Sequence, residues 1–189
     1  MPVLETANRA LMTGLAALAI VVLLAIAVGK WSPAEAALLL TRSAHVFMAM
    51  VWVGLIWFVN LIQMAALEAA SEQDRKSLMT QIAPRVSRHI GIAANATFLT
   101  GALLIVALGY LTHRPLTGSL WLWAGVMGAT AMLGFVHAKI APAMRTLLDT
   151  SITNPAVKGA ARTTLRTFAR INLLLAFPVT VAMLAGAHG

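Results

Sequence analysis

Five times between Leu11 and Ala187 the chain runs through an apolar stretch long enough to cross a lipid bilayer, and each stretch is bounded by charged or turn-forming residues. About 20 helical residues at ~1.5 Å each span the ~30 Å hydrocarbon core. Inside hydrocarbon the backbone must satisfy its own hydrogen bonds, so such stretches read as membrane-spanning helices. The expected fold is all-α: a single-domain polytopic membrane bundle over residues 1–189. Its five spans lie at about 11–28, 39–63, 89–111, 120–138 and 168–187.

Composition agrees. Hydrophobic residues make up 60% of the chain and charged residues 11%, against about 25% charged in soluble domains. The absence of cysteine excludes disulfides, iron–sulfur clusters, thiolate zinc sites and covalently attached haem. The first apolar stretch outruns a signal peptide's 7–15-residue apolar region and is read as a retained helix.

The net charge of +8 speaks for orientation rather than for nucleic acid. Five spans place the N-terminus, the Glu68–Arg88 stretch and the Lys139–Arg170 stretch on one side. That side holds eleven basic residues, and the other holds three, Lys30, Arg42 and Arg114. The bias predicts a cytoplasmic N-terminus and an outer C-terminus in a bacterial inner membrane. Arg162, Arg166 and Arg170 fall four apart, a stripe suited either to anionic lipid head groups or to plain solvation.

Local signals set the connections. Ser32-Pro33 caps and starts the second span, Ser71-Glu72 starts a short amphipathic helix or helical extension lying at the interface, and Asn154-Pro155 starts the last helix. His113-Arg114-Pro115 makes a tight return between the third and fourth spans, Pro142 closes the fourth, and Pro178 is expected to bend the fifth. Gly91, Ala94, Gly101, Gly125, Gly128 and Gly134 are expected to let helices approach closely.

The second span carries the chemistry. It is apolar throughout, yet contains Arg42, His45 and Asn60. An ionisable group costs roughly 2.5–3.5 kcal/mol at the bilayer centre and so marks a functional site by default. Arg42, His45, Ala49, Trp52 and Ile56 share one helical face, which should look into the protein. His45 is therefore the first candidate for metal or haem ligation, with Arg42 placed to meet haem propionates and Trp52 to line the ring pocket. The bland alternatives are a hydrogen-bonded interhelical histidine and an arginine that snorkels to the interface.

Haem b between two helices needs donors at matched depth. His89 and His137 are expected to match on the cytoplasmic side, or else to be ordinary interface histidines. His45 is expected to lie most of a bilayer away from both. Its partner would be Met127 or Met183, or it would ligate alone. His113 and His188 read as solvent-facing, and the ten methionines as gap-filling packing residues.

The string His45-x6-Trp52-x-Gly54-x2-Trp57-Phe58-x-Asn60-x2-Gln63 resembles the transmembrane region of the bacterial membrane-bound, cytochrome-c-linked urate oxidase family. Ala83-Pro84-Arg85, Phe98-Leu99-Thr100-Gly101 and Pro142 also fit. More distantly the chain is similar to CopD-like and HemJ-like membrane proteins. The resemblance implies a helical bundle that binds haem and exchanges electrons with a cytochrome. His45, Trp52, Gly54, Asn60 and Gln63 are the positions that carry over. The chain departs from that family at Val86-Ser87-Arg88-His89 and at Phe135-Val136-His137-Ala138-Lys139, and lacks a cysteine for a c-type domain. Urate oxidation is not carried over.

The expectation is a haem-b-binding electron-transfer protein or redox-complex subunit. The rival is a cofactor-free accessory subunit that stabilises a larger membrane complex. A metal or solute transporter is a weaker third reading, because no span carries an acidic residue deep in the membrane.

Overall fold

A computed structural model describes residues 6–112 and 119–188. No strand occurs among them, and five helical runs are long and apolar enough to cross a membrane: Ala7–Ala27, Pro33–Ala69, Glu72–Tyr110, Leu120–Leu148 and Pro155–Ala187.

Helix α1 (Ala7–Ala27) is capped by Thr6, whose side chain accepts from the Arg9 N–H. The chain leaves it through Gly29, whose φ of 69° is a left-handed value that glycine adopts without steric cost. Lys30 and Trp31 both donate back to the Ala25 carbonyl. Ser32 then opens α2 (Pro33–Trp57) with a reciprocal capping box to Glu35, and Pro33 occupies the first turn as expected.

Helix α2 does not stop at its polar end. It widens into a π-helical turn, Phe58–Gln63, where Met64 N–H reaches the Val59 carbonyl, and continues as α3 (Met64–Ala69). Arg75, from the next helix, donates to the carbonyls of Leu67 and Ala70 and so satisfies the free end of α3. Ser71 caps α4 (Glu72–Gln81), the short polar helix the sequence predicts. Helix α5 (Ala83–Thr112) starts six residues before the expected span. The tight return around His113 and Arg114 lies outside the described residues.

Helix α6 (Leu120–Phe135) corrects an expectation. Pro142 does not end it. A second π-helical turn, Val136–Ile140, precedes α7 (Ala141–Leu148), with Ala141 N–H bonded to the Val136 carbonyl five residues back. Proline lacks an N–H and crowds the carbonyl four residues before it. A widened turn ahead of it relieves both problems, so the run proceeds to Leu148. Helix α8 (Pro155–His188) starts where Asn154 Oδ1 accepts the Ala156 N–H, and Pro178 lies within it.

Two antiparallel pairs make the bundle, α2 against α5 and α6 against α8. Their common core is Trp52, Ile56, Ala93, Ala94, Met132, Val136, Ile140 and Ala176. Glycines on α6 and α8 form the second seam. A Cβ on Gly186 would stand 2.6 Å from the Leu122 N, and one on Gly128 would stand 2.4 Å from Val179 Cγ2. Gly91 and Gly134 meet nothing within 4 Å, so they do not make the close contacts expected of them. Helix α1 stands apart. It makes slight contact with α2 and buries Val22 alone among its side chains.

Candidate functional site

His45 is built into the α2–α5 seam. Its imidazole lies on Gly101, where an added Cβ would come within 2.8 Å of Cε1. Its Nδ1 stands 3.0 Å from the Thr97 carbonyl oxygen. A carbonyl can only accept, so Nδ1 carries a proton, and in the neutral ring the lone pair is then on Nε2. Thr100 Oγ1 lies 3.4 Å from the same Nδ1 while donating to the Ala96 carbonyl at 2.6 Å. A histidine whose Nδ1–H is held by a backbone carbonyl presents Nε2 as a ligand, an arrangement common among metal-binding histidines.

The other histidines are set by their own partners. Asn95 Nδ2 donates to the Gly91 carbonyl, so its Oδ1 faces His137, whose Nε2–H donates to it at 3.0 Å. His89 donates through Nδ1 to Arg85 O at 2.7 Å. Both side chains are exposed on the bundle surface.

These contacts correct the expected depths. His137 lies level with Asn95, six residues beyond His89 along α5, a displacement of ~9 Å at ~1.5 Å per residue. His45 lies level with Thr97 to Gly101, only two to six residues beyond Asn95. His45 and His137 are therefore at similar depth rather than a bilayer apart. The expectation failed because the π-helical turn carries α6 past Pro142, so His137 stands well inside its helical run. The two histidines still do not converge. Thr97 and Asn95 are two residues apart on α5, so they point to nearly opposite sides of it.

Neither methionine is brought to His45. Met127 is 72% exposed, and Met183 packs on Gly125 across the α6–α8 seam. Arg42 is exposed, one turn from His45 on the same helix, and forms no ion pair with a described residue. Trp52 is 3% exposed and its Nε1 has no hydrogen-bond partner among the described residues. No cluster of three or more His, Cys, Asp or Glu side chains placed to hold a metal ion occurs among the described residues. His113 lies outside them.

The bundle centre holds a second polar group, in which Asn60 and Gln63 are expected from the sequence and Asn172 is not. Asn60, in the first π-helical turn, donates through Nδ2 to the carbonyls of Ile56 (2.8 Å) and of Ala169 on α8 (3.2 Å). Asn172, 1% exposed, donates through Nδ2 to the Met132 carbonyl on α6 at 3.4 Å. Their side-chain oxygens, and that of Gln63, are buried without a hydrogen-bond partner among the described residues. A lone amide in the apolar run Ile171–Ala176 was the available signal for Asn172.

Compared with protein-family models, with curated proteins and with solved structures, the chain matches none.

Proposed function

We propose that the chain is a multi-pass protein of a bacterial inner membrane, N-terminus in the cytoplasm, that holds one haem b through Nε2 of His45 and serves as a redox subunit. One observation carries this reading: Nδ1 of His45 is committed to the Thr97 carbonyl at 3.0 Å. The ring is held in the tautomer and orientation that an axial ligand needs. The donor chemistry fits a haem iron, since neutral imidazole is its common protein ligand.

Bound haem supplies one-electron chemistry at its iron. The chain's residues do the rest. Thr97 fixes the ring, and Gly101 leaves space for it against α5. Arg42, one turn away on the α2 face, is the cation for propionates. Trp52, two turns farther along the same helix and buried in the core, would line the haem on that side. His89 and His137 are not assigned to this site, since each stands on the bundle surface with its own partner.

The test is a reduced-minus-oxidised visible spectrum of gently solubilised protein beside His45→Ala, His89→Ala and His137→Ala. A b-type α-band abolished by His45→Ala alone is the expected result. Folded protein with no Soret band and no pyridine haemochrome overturns it.

A second reading is favoured by a separate observation. Helix α1 leaves Leu11, Met12, Leu15, Leu18 and Leu23 exposed and hardly touches the bundle. This exposure would suit an accessory subunit whose first helix packs on a partner in a larger membrane complex. Stable co-purification of a partner that is lost on deleting α1, with a flat visible spectrum, would decide for it.

A further inference from the structure

The charged end of α8 carries a feature that neither His45 nor the central amides explain. A groove of about 570 Å³ runs along it. One row of the groove is Arg162, Arg166, Arg170 and Leu174, each four residues from the next. The adjacent row runs through Thr163 and Thr167 to Ile171. Residues four apart lie one above another on a helix, ~6 Å along the axis. Both rows change from polar to apolar within one helical turn of each other, after Thr167 and after Arg170, and both then enter the apolar run of the last candidate span.

Charge in the groove is nearly unopposed. Glu68 Oε1 meets Arg166 Nη2 at 3.2 Å, with both side chains more than half exposed. Among the described residues no carboxylate pairs with Arg162 or Arg170. Guanidinium groups bind phosphate oxygens in a planar fork, which an ammonium does not.

We infer that this groove binds the head group of an anionic glycerophospholipid, with the phosphate on the Arg162–Arg166–Arg170 row and the start of an acyl chain on Ile171 and Leu174. The order of the two rows selects a lipid over free phosphate, because a small anion has no use for the apolar end. The inference rests on the chain lying in a bilayer and is independent of haem at His45.

The experiment is native mass spectrometry of the full chain released from bilayers that mix phosphatidylcholine with a minority of phosphatidylglycerol. Wild type retains phosphatidylglycerol selectively. Each basic residue near an anionic surface contributes ~1 kcal/mol, so R162Q/R166Q/R170Q should lower that selectivity roughly a hundredfold. The matching triple lysine variant should keep an intermediate selectivity, since it holds the charge without the fork. Glu68→Gln removes a competing carboxylate and should raise retention by up to about fivefold, the worth of an exposed ion pair. Glu68→Gln and the lysine variant also carry the test if the glutamine variant does not fold. Equal retention of both lipids by wild type overturns the inference. So does unchanged selectivity in the variants, or displacement of the lipid by inorganic phosphate at equal concentration, which would make the groove a site for the free anion.

Discussion

The imidazole of His45 occupies the space that a side chain on Gly101 would fill, with Cε1 2.8 Å from the position of the missing Cβ. Gly101→Ala must therefore move the ring, and the ring cannot move far without giving up its 3.0 Å bond to the Thr97 carbonyl. Inserting a methyl into a packed contact costs about 1–3 kcal/mol, and releasing the bond adds about 0.5–1.5 kcal/mol. Thermal unfolding in detergent should show the loss. If haem is held at Nε2, the same variant should weaken or shift the Soret band. Unchanged stability would mean that the ring does not lie on Gly101.

The α6–α8 seam gives a graded series. At Gly186 an added Cβ meets the backbone of Leu122 at 2.6–2.7 Å, and backbone cannot step aside. Gly186→Ala should force the helices apart and cost at least about 3 kcal/mol, the upper end for overpacking. At Gly128 the obstacle is a methyl of Val179, which has a rotamer to turn, so Gly128→Ala should cost less. Gly134 faces open space, and there alanine gains helix propensity worth up to about 1 kcal/mol. The measurement is the unfolding midpoint of the three variants. A ranking with Gly134→Ala least stable would contradict the seam.

This seam also marks what could be read from residues alone. Apolar runs revealed all five long helices, and the caps Ser32, Ser71 and Asn154 were legible because each side-chain oxygen bonds a nearby backbone N–H. His45 could be singled out because a histidine in an apolar run is costly. Its partner Thr97 lies 52 residues away and could not be found by local spacing. The depth of His137 was misread because Pro142 signals a helix end, whereas a π-helical turn lets the chain continue. Gly91 and Gly134 looked like seam residues for their size, but size does not say which way a helix face turns.

Asp149, between α7 and α8, gives a prediction outside the spanning segments. Its carboxyl is held below the ordinary aspartate value of 3.8, chiefly by the Ser151 hydroxyl, then by the Ser151 N–H, with a smaller contribution from the charge of Lys158. A depressed folded value means that the turn gains from the ionised form. That gain is complete above the unfolded value and fades as pH falls through the lower folded midpoint. An NMR titration of the Asp149 carboxyl should find its midpoint below 3.8, and Ser151→Ala should raise it. A midpoint indifferent to Ser151→Ala would remove the serine as the cause.

The two central asparagines, Asn60 half-buried and Asn172 buried, should respond differently to the same change. Each side-chain oxygen lacks a partner among the described residues, but Asn60→Leu also removes two hydrogen bonds, one of which ties the first π-helical turn to the Ala169 carbonyl on α8. At about 0.5–1.5 kcal/mol per bond the expected cost is about 1–3 kcal/mol. Asn172→Leu removes one long bond to Met132 together with a buried oxygen that has no partner. Exchanging a half-satisfied polar group for an apolar one of similar size is close to neutral or stabilising. Asn172→Asp should instead be severe, because it buries a charge beside an apolar core. Unfolding midpoints of the three variants in one detergent check the set. Should Asn172→Leu cost as much as Asn60→Leu, then Oδ1 of Asn172 is held by something in the folded protein, and the central amides become a ligand-binding group in their own right.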